Sequence, residues 1–283
     1  MKFQLFLLSE KQKNGIMKIT IIGAGNMGSA IAYGLCNSRL SNELEICCTD
    51  ILPEKLYKIK ETNASIHVSA DNLVAVKDAD IIILAVKPWL VEGTIEEIKE
   101  AMDYSRQILI SIAAGVTFWQ LNRFLRKKDE YLSALFRVVP NIAVAVNESC
   151  TFIADDEATA EQSELVKKLF DELGMTVSIE EQLIPAFTAL SSCGIAYAFR
   201  YIRAAVEGAV ELGINPELAK KIEIQTLQGA AALLTANNSH PEAEIDKVTT
   251  PGGITIKGLN AMEEAGFTTA VIKGLKASML LDE

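Results

Sequence analysis

Three glycines near the start of the chain have the spacing of a loop that binds the phosphates of a dinucleotide. Residues 23–28 read Gly-Ala-Gly-Asn-Met-Gly, directly after a short apolar run and directly before a segment of helical periodicity. The first glycine permits a tight turn, the second lets the backbone approach a pyrophosphate, and the third lets the helix pack on the strand. A tight turn without a ligand is the alternative. We predict cofactor contacts from Gly23, Gly25, Asn26, Met27 and Gly28.

An acidic residue follows the second apolar run. Asp50 lies 22 positions beyond the last glycine of the loop, where a carboxylate can accept hydrogen bonds from the adenosine ribose hydroxyls. A 2'-phosphate would bring two negative charges beside it and would need a nearby arginine. Ile51 and Leu52 supply none, although Lys55 is close in sequence. The pattern favours NADH over NADPH, and the alternative is that Asp50 only opens a turn.

Two later loops fall where a doubly wound sheet presents its ligand crevice, beyond the carboxyl ends of its strands. Ala-Val-Lys-Pro follows the fourth apolar run, and its lysine is suited to cofactor phosphates, although a Lys-Pro pair can also simply end a strand. The asparagine after the sixth run is predicted to contact the nicotinamide or a ribose, unless it only serves a turn. The residues predicted here are Ala85, Val86, Lys87, Pro88 and Asn141.

A Pro-Gly-Gly loop precedes an amphipathic helix near the end of the chain. Such a loop exposes consecutive amide groups at the positive end of the helix dipole, which can bind a small carboxylate without an arginine. Thr255 would point its hydroxyl into the same space, and an ordinary helix-capping turn is the alternative. The predicted substrate-binding residues are Pro251, Gly252, Gly253 and Ile254.

The cysteines and histidines predict neither a metal site nor a thiol nucleophile. Five cysteines are scattered without metal-ligand spacing. Cys193 is not predicted to be a nucleophile, because the sequence places neither His67 nor His240 to activate it. An odd number of cysteines in a chain of this size fits a reducing compartment, so we expect a cytoplasmic protein.

Short apolar runs alternate with segments of helical period up to about residue 180, which predicts a mostly parallel sheet with crossover helices. The predicted fold class is α/β, with an N-terminal Rossmann-like sheet domain followed by an all-helical C-terminal domain. Strands are predicted at Lys18–Ile22, Leu44–Cys48, His67–Ser69, Ile81–Val86, Gln107–Ile112, Leu135–Val139, Thr151–Ile153 and Thr176–Ser178. Later helices are predicted at Pro185–Leu212, at Pro216–Asn237, around Ala243 and at Thr255–Ser278.

The change from strands to helices places a domain boundary near residue 180. We predict a dinucleotide-binding domain at 17–180 and a helical substrate-binding and dimerisation domain at 181–283. Residues 191–197 and 225–234 are small or apolar around much of the helix, so a partner chain is their natural cover. Since Met17 directly precedes the first strand, we interpret residues 1–16 as an upstream extension.

Composition excludes several classes of protein. The 283 residues carry 27 Lys and Arg against 37 Asp and Glu, a formal charge of -10, which argues against a nucleic-acid partner. The apolar run Phe3–Leu8 is too short for a signal peptide, and we read no stretch of about 18 apolar residues that would span a membrane. We therefore expect no membrane partner.

The motifs together resemble the pyrroline-5-carboxylate reductase family. The resemblance runs from Met17 to the C-terminus and rests on the glycine loop, residues 85–88, 111–116 and 248–255, the Pro140-Asn141 loop and the small-residue helix at 189–197. A Pro-Gly-Gly-x-Thr segment in an all-helical second domain is its most specific part. It implies reduction of a cyclic imino acid, 1-pyrroline-5-carboxylate, to L-proline by NAD(P)H, the last step of proline biosynthesis. It also implies a homodimer or a ring of dimers.

Two segments depart from the family pattern. Residues 139–143 read Val-Pro-Asn-Ile-Ala where family members read Met-Pro-Asn-Thr-Pro. Residues 191–195 read Ser-Ser-Cys-Gly-Ile where family members read Ser-Gly-Ser-Gly-Pro. These departures leave two alternatives open, namely a divergent reductase of another cyclic imine or ketone, and a nucleotide-sensing paralogue without turnover.

The residue inventory agrees with imine reduction. Oxidation of a hydroxy acid needs a general base, and similar hydroxyacid dehydrogenases carry a lysine in the helix that opens the second domain, whereas residues 191–203 contain none. Imine reduction needs a hydride donor, an anchor for the carboxylate and a proton or hydrogen bond for the ring nitrogen. The glycine loop, the Pro-Gly-Gly loop and Thr255 are predicted to supply these in turn, which makes Thr255 the catalytic residue.

Overall fold

The computed structural model describes residues 15–127 and 134–279 of the chain. These residues form two compact units, the first ending at Ser192 and the second running from Cys193 to Met279. The predicted domain boundary near residue 180 lies just after the last strand, which ends at Ser178. Of the interpreted upstream extension, residues 1–14 lie outside the described residues.

The first unit is built on one eight-stranded sheet with the order β3-β2-β1-β4-β5-β6-β7-β8. Neighbouring strands are parallel except β6 and β7, which are antiparallel. The strands are β1 Met17–Ile22, β2 Leu44–Thr49, β3 His67–Ser69, β4 Ile81–Leu84, β5 Ile108–Ser111, β6 Leu135–Val139, β7 Ser149–Asp156 and β8 Gly174–Ser178. All eight predicted strands are confirmed, as is the fold class.

Helices cover both faces of this sheet. The α-helices of the first unit are α1 Asn26–Cys36, α2 Pro53–Thr62, α3 Asn72–Lys77, α4 Val91–Ile98, α5 Phe118–Leu125, α6 Ala160–Asp171 and α7 Ile184–Phe187. Short 3-10 helices lie at Ser41–Glu43, Pro88–Leu90, Lys99–Ala101, Ile142–Val146 and Glu181–Leu183. A π-helix follows at Thr188–Cys193, within the segment predicted as one regular helix.

The central strand β4 shows why this sequence forms a sheet that is covered on both faces. Its four residues are all fully buried. Ile81 and Ile83 belong to one apolar cluster, whereas Ile82 and Leu84 belong to the other. Alternate side chains of a strand point to opposite faces, so an unbroken apolar run satisfies a helix layer on each side.

The second unit is helical throughout its described residues. Its helices are α8 Gly194–Glu211, α9 Pro216–Asn237, α10 Pro241–Val248, α11 Ile254–Glu264 and α12 Phe267–Ala277. The predicted single helix over Thr255–Ser278 is wrong, because Gly266 takes a left-handed conformation with φ of 86° and separates two helices. Glycine adopts this conformation without a steric penalty.

The junction between α8 and α9 forms as its sequence predicts. Gly213 has φ of 88°, and the Asn215 side chain accepts hydrogen bonds from the amides of Glu217 and Leu218. Pro216 then occupies the first helical position, where its missing amide hydrogen costs nothing. These three residues turn the chain and cap α9.

The second unit buries little of its own apolar surface. Among its described residues, the buried apolar side chains are Val206 and Ala219. Leu233, Phe199 and Ile254 are between 54% and 86% exposed. Contrary to the sequence expectation, the helical stretch Glu181–Glu211 is long and apolar enough by composition to cross a membrane. The same composition suits helices that are covered by a second chain.

Candidate active site

The glycine loop joins β1 to α1 through backbone contacts that leave no room for side chains at two of its positions. Gly23 has φ of 108°, and a Cβ built on it would lie 2.7 Å from the carbonyl oxygen of Ala85. A Cβ on Gly28 would overlap the carbonyl oxygen of Gly23. The amide of Gly23 also donates to the carbonyl of Thr49 over 2.8 Å. Gly23 and Gly28 therefore fold the loop.

The middle glycine of the loop has a different environment. Gly25 caps the N-terminus of α1, and a Cβ built there would have no heavy atom within 4 Å. Among the described residues, no side chain caps this helix and its first turn holds no acidic residue. Its amides are therefore open to a phosphate in the space next to Gly25, as a dinucleotide site requires.

Asp50 lies close to the glycine loop and is already engaged by the protein. Its Oδ2 accepts hydrogen bonds from the amide of Ala24 at 2.9 Å and from Lys55 Nζ at 3.0 Å. Its Oδ1 accepts from the amide of Leu52 at 3.0 Å, which forms the turn before α2. The side chain is 7% exposed. Asp50 therefore forms the turn before α2 and its charge is compensated by Lys55, while its contact with the adenosine ribose stays a prediction.

The segment after β4 lies beside the glycine loop, as the sequence predicts. The amide of Ala85 donates to the carbonyl of Ile22 over 2.8 Å, which continues the sheet pairing for one residue. Val86 and Pro88 are half-buried, whereas Lys87 is exposed and precedes a 3-10 helix. The Lys-Pro pair ends the strand, and its ammonium remains accessible from solvent.

A cleft of about 200 Å³ lies beyond the carboxyl ends of β5 and β6 in the first unit. Met27 of the glycine loop contributes to one wall, so the cleft adjoins the glycine loop. The remaining lining residues are 111–115, 137–140, Ile184, Pro185, Thr188 and Ser192. A doubly wound sheet binds ligands at this place.

Sequence reasoning missed several of these lining residues. Arg137 is a charged residue in the otherwise apolar strand β6 and is 4% exposed. A single arginine within an apolar strand was the sequence signal that could have identified this residue as part of the site. Thr188 and Ser192 belong to the π-helix, and such helices are frequent at functional sites. A sequence pattern does not reveal a π-helix, because it differs from an α-helix by a single inserted residue.

Asn141 is buried and holds its own loop together. Its Oδ1 accepts from the amide of Ala143 at 2.9 Å, and its Nδ2 donates to Ser191 Oγ over 3.1 Å. Ser192 Oγ donates to the carbonyl of Pro140 over 2.9 Å. Both side-chain atoms of Asn141 thus have protein partners, which agrees with the alternative turn role. The two serines attach the π-helix to the loop after β6.

The Pro-Gly-Gly loop lies in the second unit and forms a tight turn before α11. The amide of Gly253 donates to the carbonyl of Thr250 over 2.9 Å, and Gly252 has φ of 74°. Proline followed by a glycine of positive φ is typical of a type II turn. Ile254 and Thr255 begin α11 and are exposed. This turn leaves the first amides of α11 and the Thr255 hydroxyl accessible for a small anion.

Burial disfavours the thiolate form of four of the five cysteines. Burial raises the pKa of the thiols of Cys36, Cys47, Cys48 and Cys150, which keeps them protonated at neutral pH. All five cysteines are free of disulfides. Within residues 15–127 and 134–279, no three His, Cys, Asp or Glu side chains lie together as metal ligands.

Comparison with known proteins decides the family. Residues 181–281 match the model described as pyrroline-5-carboxylate reductase dimerisation, and residues 18–115 match the model described as NADP oxidoreductase, coenzyme F420-dependent. Pyrroline-5-carboxylate reductase 2 of Dictyostelium discoideum is 37% identical, with 92% of this chain and 90% of the relative covered. The chain belongs to the pyrroline-5-carboxylate reductase family. The resemblance seen in the sequence is thereby confirmed.

Other family members are similar over most of this chain. The reductase of Methanosarcina acetivorans is 36% identical over 92% of this chain and 96% of its own. Reductase 1 of D. discoideum is 38% identical, but the chain spans 48% of that relative. The Streptococcus pyogenes reductase structure has a TM-score of 0.81 and 30% identity over 93% of this chain and 96% of that chain. The structure of the Plasmodium falciparum enzyme with NADP bound has a TM-score of 0.82 and 26% identity, and the match covers 93% of this chain and 95% of that chain.

Replacing Gly25 with valine should prevent dinucleotide binding and leave the fold intact. A Cβ at this position has no heavy atom within 4 Å, and the valine side chain fills the space that the phosphates need. Gly93→Val on α4 is the matched control, since a Cβ there also has no heavy atom within 4 Å. Titration calorimetry with NADH should show affinity lost in Gly25→Val only. Unchanged affinity in Gly25→Val would remove the loop from the cofactor site.

Proposed function

We propose that this chain reduces 1-pyrroline-5-carboxylate to L-proline with hydride from a nicotinamide dinucleotide. The observation that carries the proposal is the match to family members over at least nine tenths of the chain, through both compact units. NADH and NADPH oxidation should depend on added pyrroline-5-carboxylate at neutral pH. Oxidation without this dependence would contradict the proposal.

Imine reduction requires few acid-base groups from the protein. The bound dinucleotide supplies a hydride to the imine carbon, and a proton must reach the ring nitrogen. The glycine loop offers a phosphate site at the N-terminus of α1, because Gly25 leaves open space there. The cleft between β5, β6 and the π-helix is mostly apolar, which would limit the access of water to the transferred hydride.

The Pro-Gly-Gly turn suits the carboxylate of the substrate. The first amides of α11 point toward solvent at the positive end of the helix dipole, which favours an anion. We propose that Pro251, Gly252, Gly253 and Ile254 bind this carboxylate. Thr255 follows directly and offers a hydroxyl hydrogen bond for the ring nitrogen, whose charge changes as hydride arrives.

Thr255→Ala should lower kcat substantially with little change in cofactor affinity. A lost neutral hydrogen bond is worth about 1 to 3 kcal/mol, so the rate should fall roughly ten- to a hundredfold. Thr255→Ser keeps the hydroxyl and should retain most of the rate. Steady-state kinetics with a separate cofactor titration measure both effects. A kcat within about twofold of the parent would make Thr255 a helix-capping residue only.

We propose NADH as the favoured dinucleotide. Asp50 keeps a carboxylate next to the glycine loop, and a 2'-phosphate would be repelled by it. Lys55 lies 3.0 Å from this carboxylate and reduces the repulsion. The preference is therefore modest, and NADPH is also accepted.

Lys55→Met should sharpen the preference for NADH by about tenfold in the ratio of kcat/KM values, because Asp50 then faces the 2'-phosphate uncompensated. Asp50→Asn should shift the ratio toward NADPH, since the amide oxygen still accepts the Ala24 hydrogen bond without the charge. Steady-state kinetics with both dinucleotides measure the ratio. A shift of Lys55→Met toward NADPH would show that another residue sets the choice.

We propose a homodimer held by the second unit, and rings of such dimers as the larger assembly. The match to a dimerisation model over residues 181–281 supports this, as do the exposed apolar side chains of α8, α9, α11 and α12. We also propose a cytoplasmic location, which the free cysteines support.

Light scattering at micromolar concentration should give at least twice the 30.8 kDa of one chain. Leu233→Glu places a charge on an exposed apolar position of α9 and should lower the mass toward the monomer. Val74→Glu is the matched control on α3 of the first unit and should leave the mass unchanged. A parent protein of 30.8 kDa in this experiment would contradict the dimer.

A further inference from the structure

A buried guanidinium lines the cleft. Arg137 on β6 is 4% exposed and is the charged side chain among the described residues that form the cleft wall. Its Nη1 lies 2.6 Å from Oε1 of Glu181, which begins the 3-10 helix after β8. A buried charge is costly unless it is paired and hydrogen-bonded. Glu181 therefore keeps this part of the cleft close to electrically neutral.

The same carboxylate oxygen binds a third segment. The amide of Phe118, the first residue of α5, donates to Oε1 of Glu181 over 2.6 Å. A carboxylate at a helix N-terminus is favoured by the dipole. One atom thus joins β6, the start of α5 and the segment that leads to Thr188 and Ser192 in the cleft wall.

The position of the cleft identifies the part of a dinucleotide that it faces. In a sheet of this order the adenosine half lies over β1 and β2, where Asp50 is found, and the nicotinamide half lies over β4 and the strands beyond it. The cleft lies beyond β5 and β6 and adjoins Met27. The nicotinamide ring is positively charged in the oxidised dinucleotide and neutral in the reduced one.

We infer that Glu181 is a positioning residue that compensates Arg137, and that the pair sets the relative affinity of this chain for oxidised and reduced dinucleotide. Without Glu181, an unpaired guanidinium faces the cleft and repels the oxidised ring selectively. Without Arg137, the carboxylate attracts that ring. The inference rests on the proposed dinucleotide site and extends it to the release of oxidised product.

Three variants test the inference by binding alone. We expect Glu181→Gln to raise the ratio of the Kd for NAD+ to the Kd for NADH by about tenfold, as one uncompensated charge in a partly buried site would do. Arg137→Gln should lower the ratio. The double variant should return it to within about threefold of the parent. Titration calorimetry of the full chain with each dinucleotide measures all four ratios.

Arg106→Gln is the matched control. Arg106 pairs with Asp80 at 2.7 Å, but this ion pair lies at the amino ends of β4 and β5, opposite the cleft. The ratio of the Kd for NAD+ to the Kd for NADH in Arg106→Gln should equal that of the parent. Ratios unchanged in both single variants, or shifted in the same direction in both, would overturn the inference. A purely structural role of the pair predicts such a common direction.

Two further outcomes separate this inference from the proposed function. If Glu181→Gln does not fold, as judged by circular dichroism, Arg137→Gln still decides, because its ratio must fall. If the parent binds both dinucleotides with these shifts but shows no oxidation dependent on pyrroline-5-carboxylate, the proposed reaction is wrong and the inference stands. A parent that binds neither dinucleotide overturns both.

Discussion

The close approach of backbone at the first strand-to-helix turn is the constraint on which the cofactor end of the molecule depends. Gly23 and Gly28 lack side chains because neighbouring carbonyl groups occupy the space where a Cβ would be. This packing directs the N-terminus of α1 at the crevice and sets the end of β4 beside the loop. Gly25 has no such neighbour, and the space that it leaves open is what a pyrophosphate requires. Structural and functional demands are thus divided among three glycines of one motif.

The opposite side of the cleft is held by side chains instead of backbone packing. Glu181 binds Arg137 and the amide of Phe118, and Ser191 and Ser192 bind the loop after β6. These contacts join residues 44 to 63 positions apart in the chain. They attach both ends of the segment 181–192 to the rest of the first unit, and the π-helix at its second end thereby forms a wall of the cleft. Hydrogen bonds and ion pairs are electrostatically stronger in the protein interior than in water.

The sequence predicted the sheet because its signals are local. Apolar runs, turn residues and the glycine spacing identified all eight strands and the turn between β1 and α1. It did not predict the Arg137–Glu181 pair, since no pattern connects two charges 44 residues apart before the fold is known. Asp50 illustrates an intermediate case: its place beside the loop was predicted, but its carboxylate is already bound by Ala24 and Lys55. The sequence also did not predict the break between α11 and α12 at Gly266. One left-handed residue ends a helix without changing the spacing of the apolar residues.

The helices of the second unit carry apolar side chains that a single chain leaves exposed to solvent. Ile254 is 86% exposed directly before Thr255, and Leu233 and Val271 are about half exposed on other helices. Burying a fully exposed side chain of this kind is worth about 1.5 to 3 kcal/mol, and a half-exposed one gains roughly half of that. Many of them must therefore be covered together to outweigh the entropy lost by association. The turn proposed to bind the substrate carboxylate lies within this uncovered surface. Assembly would therefore stabilise the helices that carry Thr255, and dilution below the dimer affinity should reduce activity before it unfolds the sheet.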